Sequence, residues 1–132
     1  MARRERHEIE LARPYQPHLP YRMNTDRTLR ICALNDDARR NLADGTMFFS
    51  RGVAALSVAD QAAIVDRVCA FEDFTEDNDP WGEHDFGSFE HNGGTIFWKI
   101  DCYDHDLRCG SPDPADLAVT RRVLTILLAD EY

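Results

Sequence analysis

The sequence predicts an α+β fold, on three observations. Two stretches repeat apolar residues at helical spacing, two β-like runs flank Asn92-Gly93-Gly94, and a length of 132 residues suits one domain. The expected order is α-β-α-β-β-α, a small antiparallel sheet with a long β-hairpin packed by helices. Residues 1–23 hold Pro14, Pro17 and Pro20 among many Arg and show no helical period, so they read as a basic arm. Residues 24–132 form the single domain.

Asn24 or Thr25 can cap the first helix, Ile31, Leu34, Ala38 and Leu42 give it an apolar side, and Gly45 supplies its stop. Residues 46–53, around Met47, Phe48 and Phe49, read as a short strand. Ser57 with Asp60 three residues on resembles a capping box, and the helix behind it turns Ile64, Val65, Val68 and Phe71 to one side. Residues 84–91 and 95–103 make the hairpin, because Asn and Gly both tolerate the positive φ of a type I′ turn. A two-residue turn sets Phe89 opposite Ile96, Gly87 opposite Trp98 and His84 beside Asp101. A three-residue loop would set Asp85 against Asp101, two carboxylates face to face, so the first register is preferred. Asp113 and Pro114 read as cap and first position of a final helix, with Leu117, Val123, Leu124, Leu127 and Leu128 as its apolar face.

The formal net charge is −9, so the average surface repels nucleic acid and anionic membranes, and neither is expected as a direct partner. The charge is unevenly placed. Residues 1–30 carry seven Arg against four acids, whereas residues 72–116 carry thirteen acids against Lys99 and Arg108. Cys32, Cys69, Cys102 and Cys109 lack the Cys-x-x-Cys spacing of a structural zinc site. No apolar leader or membrane-length apolar run is present, which makes the cytoplasm the expected compartment.

The densest information lies in Asp77-Asn-Asp-Pro-Trp-Gly-Glu-His-Asp-Phe-Gly87, where four carboxylates, an Asn and a His share nine residues with Pro, Trp and Gly. Candidate binding residues are Asp77, Asn78, Asp79, Trp81, Glu83, His84 and Asp85. The hairpin should bring Asp101, Asp104 and Asp106 near them. Asp-x-Asp-x-x-x-Glu loosely resembles a calcium loop, but the EF-hand's central Gly and final Glu are missing. These side chains could equally accept backbone N–H bonds and hold a turn. A His84–Asp101 pair could serve as base and orienter, yet neither Ser88 nor Ser111 sits in an evident nucleophile setting. No catalytic residue, no cofactor and no defined metal are therefore assigned, and most aromatics read as core.

In Leu34-Asn-Asp-x-x-Arg39, Gly52-Val53, the 77–87 motif, Phe97-Trp-Lys-Ile-Asp-x-Tyr-Asp104, Ser111-Pro-Asp-Pro-Ala-Asp116 and the closing Thr120-x-x-Val-Leu-Thr-Ile-x-Leu-Ala-x-Glu-Tyr132, the chain resembles a family of small bacterial proteins. That family is catalogued only as a domain of unknown function and is found often on plasmids and other mobile elements. The resemblance spans about residues 29–132 and brings no established activity. By association it implies an anti-defence factor.

Acidic groups interleaved with aromatics suit a small protein-binding module, an inhibitor of anti-CRISPR or anti-restriction type that blocks a basic nucleic-acid-binding surface. The alternative is a metal-dependent hydrolase or nuclease built on the carboxylate and His cluster of residues 77–85. The sequence does not fix an oligomeric state.

Overall fold

The computed structural model describes residues 21–42 and 46–132, with side chains from Asp26 onward. Helix α1 spans Tyr21–Arg40, β1 Met47–Phe49, α2 Arg51–Ala54, α3 Val58–Ala70, β2 Phe86–His91, β3 Gly94–Tyr103 and β4 Arg121–Leu128. Single 3₁₀ turns at Leu117–Val119 and Ala129–Glu131 flank β4. The fold is α+β, as expected, with a four-stranded sheet in the order β1-β4-β3-β2. The sheet is mixed rather than antiparallel throughout, because the short β1 runs parallel to β4. Among the described residues no helix is long and apolar enough to cross a membrane. All four cysteines are free thiols.

Most of the expected arm, residues 1–20, lies outside the described residues, as does Gly45. Helix α1 begins at Tyr21, three residues before the expected Asn24 cap. Its inward stripe also differs from expectation: Ile31, Asn35 and Arg39 are buried, whereas Leu34 and Ala38 are only half-buried. Ser57 caps α3 through Asp60 N–H at 3.0 Å and donates to the Asp60 carboxylate, and Ile64 and Val68 face the core. The short α2, not anticipated, is capped by Ser50.

The hairpin adopts the two-residue register, with Gly87 opposite Trp98, Phe89 opposite Ile96 and His91 opposite Gly94. Asn92 and Gly93 take φ of 50° and 81°, the paired left-handed values of a type I′ turn. Trp98 is fully buried at the centre of the face that meets the helices, among Ile64, Val68, Phe71, Ile100 and Ile126. Phe71 and Phe74 both present edges to its ring, at centroid distances of 5.5 and 6.1 Å. Gly87 leaves the room this requires, since a Cβ there would lie 2.5 Å from Trp98 Nε1.

The expected final helix is a strand. Residues 121–128 form β4, hydrogen-bonded to β3 on one side and β1 on the other. A strand central to a sheet buries both faces, so its near-continuous Val-Leu-Thr-Ile-Leu-Leu run mimicked the wide apolar face of a helix. Its β-branched residues favour the strand. Asp113 caps only a local turn, accepting Ala115 N–H at 3.1 Å, and its carboxylate also takes Arg27 of α1 at 2.9 Å. Asp116 caps the 3₁₀ turn by accepting Ala118 N–H.

The C-terminal turn latches the opposite edge. Glu131 accepts the Ser50 hydroxyl at 2.5 Å and the N–H groups of Gly52 and Leu128, both at 2.8 Å. Burial acts to raise its pKa, but these three donors outweigh that and hold the carboxyl below its usual range.

Adding a methyl at Gly87 has no free volume to enter, because indole and Phe71 ring atoms both lie within 2.8 Å of it. Gly87→Ala should therefore destabilise by about 1–3 kcal/mol, as overpacked cores do. Gly93→Ser, whose added Cβ meets nothing within 4 Å, loses only the ease of its left-handed φ. Denaturant unfolding of both variants checks this, and an unaltered midpoint for Gly87→Ala would contradict the packing.

Candidate functional site

Between α3 and β2 the chain makes a long loop whose polar residues mostly bind its own backbone. Asn78 accepts Thr75 N–H at 2.9 Å through its side-chain oxygen and donates to Asp73 C=O at 2.8 Å through its amide. Asp79 is 7 % exposed and its Oδ1 accepts the N–H groups of Glu83 and His84, each at 3.1 Å. Gly82 and His84 take φ of 67° and 55°, so the turn depends on two left-handed residues around these bonds. Ile100 N–H then binds Asp85 C=O at 2.9 Å and joins the loop to β3.

Beneath the loop His84 meets α1. Its Nδ1 lies 2.9 Å from Asp36 Oδ1, its Nε2 lies 3.7 Å from Asp79 Oδ2, and its ring stacks on Phe74 at 3.7 Å and 4°. Asp36 Oδ1 also accepts Arg39 Nη2 at 2.8 Å. Arg39 is fully buried, and its Nη1 donates to the last carbonyls of α3, Val68 at 2.8 Å and Cys69 at 3.0 Å. Its guanidinium carbon sits 5.1 Å from the Trp98 ring centroid and 5.6 Å from that of Phe74. Asn35, one residue before Asp36, donates to Glu83 C=O at 2.9 Å and accepts Arg122 Nε at 2.7 Å. One turn of α1 thus holds α3, the loop and β4 together.

The electrostatics follow from this arrangement. Burial alone would raise the Asp36 pKa, but hydrogen bonds from His84 and Arg39, with their charges, hold it below the usual carboxylate range. Asp79 goes the other way: desolvation and the neighbouring Asp85 raise it despite its backbone donors. Cys32 places its Sγ 3.9 Å from Asp36 Oδ2, and burial with that carboxylate pushes the thiol up to about 12. It stays protonated at neutral pH and is a poor nucleophile.

The expected site residues separate into two groups. Asp79, Glu83 and Asp85 are buried, and Asn78 and His84 are half-buried. Asp77 is exposed, and so, unlike Phe86, Phe89 and Trp98, is Trp81, at 54 %. The expected His84–Asp101 pair does not form. Strand pairing stops at Phe86–Lys99, so the left-handed His84 leaves the ladder and turns to Asp36. Asp101 is buried and lies 3.0 Å from Lys99 Nζ, two residues away on the same face of β3. Asp104 caps its own turn by accepting Arg108 N–H at 3.1 Å, and Asp106 is exposed.

Sequence reasoning missed Cys32, Asn35, Asp36 and Arg39 as site residues. The available signal was a polar pair one turn apart, Asn35 and Arg39, in register with the apolar Ile31. Asp36 at i−3 from Arg39 adds an ion pair to the same face.

Asp79→Ala should cost about 1–3 kcal/mol, because two N–H groups in a buried turn lose their acceptor. Asp79→Asn should cost much less, since it keeps the acceptor oxygen and removes a desolvated charge. The two carboxylates also have opposite pH signatures. The Asp36 contribution is present at neutral pH and is lost as pH falls through its lowered pKa. Asp79 favours folding at low pH, and that benefit is lost as pH rises through its raised pKa. Urea titrations from acidic to neutral pH should therefore show a steeper acid loss in Asp79→Asn than in Asp36→Asn, and the reverse order would contradict the assignment.

No curated protein and no solved structure matches the chain. The family model that does match covers residues 49–131, which takes in the whole loop and all of the sheet but β1's first two residues. The chain belongs to the family described as protein of unknown function DUF3768.

Proposed function

We propose that the protein is a binding module that presents Trp81 and the acids before it to a basic surface on a partner protein. The observation that carries this reading is the division of labour within the loop. Asn78 and Asp79 fix its path from within, while Trp81 stands 54 % exposed and, earlier in the same loop, Glu72, Asp73, Glu76 and Asp77 are exposed as well. A large indole held outward on a braced loop loses little conformational entropy on binding, and Trp is enriched among residues that dominate interface energetics. Its ring also offers a face to an Arg or Lys of the partner. Asp79, Glu83, Asp85 and Asp101, being buried, take no part in that surface.

Against a nucleic-acid-binding partner, this surface competes with the phosphate backbone, which is how an anti-restriction or anti-CRISPR inhibitor would act. The net charge of −9 supports such a role. The rival reading, a metal-dependent hydrolase or nuclease on residues 77–85, has less geometric support. Asp77 is exposed whereas Asp79, Glu83 and Asp85 are buried, and Asp79 Oδ1 is taken by the N–H groups of Glu83 and His84.

The test is affinity capture with the full chain as bait, followed by direct titration of any basic protein retained. Trp81→Ala should leave the melting temperature nearly unchanged and weaken binding by about 2 kcal/mol or more, roughly thirtyfold. Glu76→Lys with Asp77→Lys should weaken it further, and added salt should do so for the parent, because exposed charge pairs are screened over about 8 Å at physiological ionic strength. Binding that ignores Trp81, these acids and salt would overturn the proposal.

A further inference from the structure

We propose that Cys32, Asp36 and His84 form a binding site for a divalent cation of the zinc class. The three offer one sulfur, one oxygen and one nitrogen ligand atom, all within 4.8 Å of one another. Cys32 and Asp36 stand one turn apart on α1 and so share a face. His84 reaches them from the loop through a left-handed backbone. Tetrahedral zinc, with bonds of about 2.3 Å to sulfur and about 2.0–2.1 Å to nitrogen and oxygen, sets its ligand atoms roughly 3.3–3.6 Å apart. Cys32 Sγ to Asp36 Oδ2 is already 3.9 Å, and His84 Nδ1 to Asp36 Oδ1 is 2.9 Å. The separations, at most 4.8 Å, exceed the tetrahedral spacing by up to about 1.2 Å, so side-chain shifts of about 1 Å bring Asp36 Oδ2, the Cys32 sulfur and the imidazole around one ion.

The donor mixture selects the metal. Calcium and magnesium take oxygen ligands, whereas thiolate with imidazole suits zinc and its neighbours. The surroundings orient the ligands. Arg39 Nη2 holds Asp36 Oδ1, which leaves Oδ2 facing Cys32, and Phe74 fixes the plane of the imidazole. The adjacent guanidinium charge opposes a cation and makes this a site of moderate affinity. Binding breaks the Cys32 S–H bond and forms a sulfur–metal bond, with that proton released to solvent. His84 Nδ1 gives up the proton it donates to Asp36, so that the imidazole carries its N–H on Nε2, toward Asp79, and binds the ion through Nδ1. The ion would clamp α1 to the loop that carries Trp81. The inference does not depend on the partner-binding reading, and its test needs no partner.

The full chain, stripped of metal, is titrated with Co²⁺ as probe. The expected result is a near-ultraviolet thiolate-to-cobalt charge-transfer band with the visible bands of four-coordination. The band should vanish in Cys32→Ser and persist in Cys109→Ser, which removes the exposed thiol. Zn²⁺ should raise the melting temperature of the parent and not that of Cys32→Ser. Cys32→Ser is conservative at a half-buried position, and its circular dichroism should match the parent. Absence of the band in the parent, its survival in Cys32→Ser, or its loss in Cys109→Ser would each overturn the proposal.

Discussion

The fold turns on one buried guanidinium. Arg39 is fully enclosed, yet it meets an anion, two helix-terminal carbonyls and two aromatic faces. Burying a charge costs several kcal/mol unless pairing and hydrogen bonds offset it. Here the compensation comes from four parts of the chain, α1, α3, the loop and β3. Asp36 supplies the countercharge from α1, Val68 and Cys69 supply the negative end of the α3 dipole, and Phe74 and Trp98 supply π faces. Each partner must be in place for the others to be tolerable, so the arginine couples the helices, the loop and the sheet.

From that point the geometry propagates outward. Asp36, already committed to Arg39, also takes His84, and His84 stacks on Phe74, which lies against Trp98. The loop is therefore anchored at its far end by a helix and at its near end by the core. Asp79 completes it from inside through the backbone of Glu83 and His84. With these polar side chains consumed, the loop shows Trp81 and the acids of residues 72–77 to solvent, together with Thr75 and Pro80. Asn78, Asp79 and His84, which in one dimension read as candidate binding residues, make bracing contacts in three.

The hairpin was legible in the sequence to the level of register, because Asn92-Gly93 specifies a turn and the Gly87–Trp98 match has a steric reason. The Ser57 cap was legible for the same kind of reason, a local hydrogen bond with a fixed spacing. β4 was not, since burial on both faces erases the alternation by which a strand is recognised. The inward stripe of α1 was misread because Asn35 and Arg39 are polar, and polarity marks the outer face unless distant partners are known. Those partners, Glu83 C=O and the carbonyls of Val68 and Cys69, are 48, 29 and 30 residues away. That the polar residues of the loop can hold a turn was legible in its composition. Its inner and outer residues could not be sorted, because that depends on the left-handed turns at Gly82 and His84.

The central claim is that Arg39 holds the loop through Asp36 and His84. Native-state hydrogen exchange on Arg39→Lys tests it most directly, since a lysine keeps the charge but cannot fork between a carboxylate and two carbonyls. The account predicts that the amides of Glu83 and His84 lose protection while Trp98 and Ile126, deep in the sheet, keep most of theirs. Equal protection of the Glu83 and His84 amides in variant and parent would contradict it.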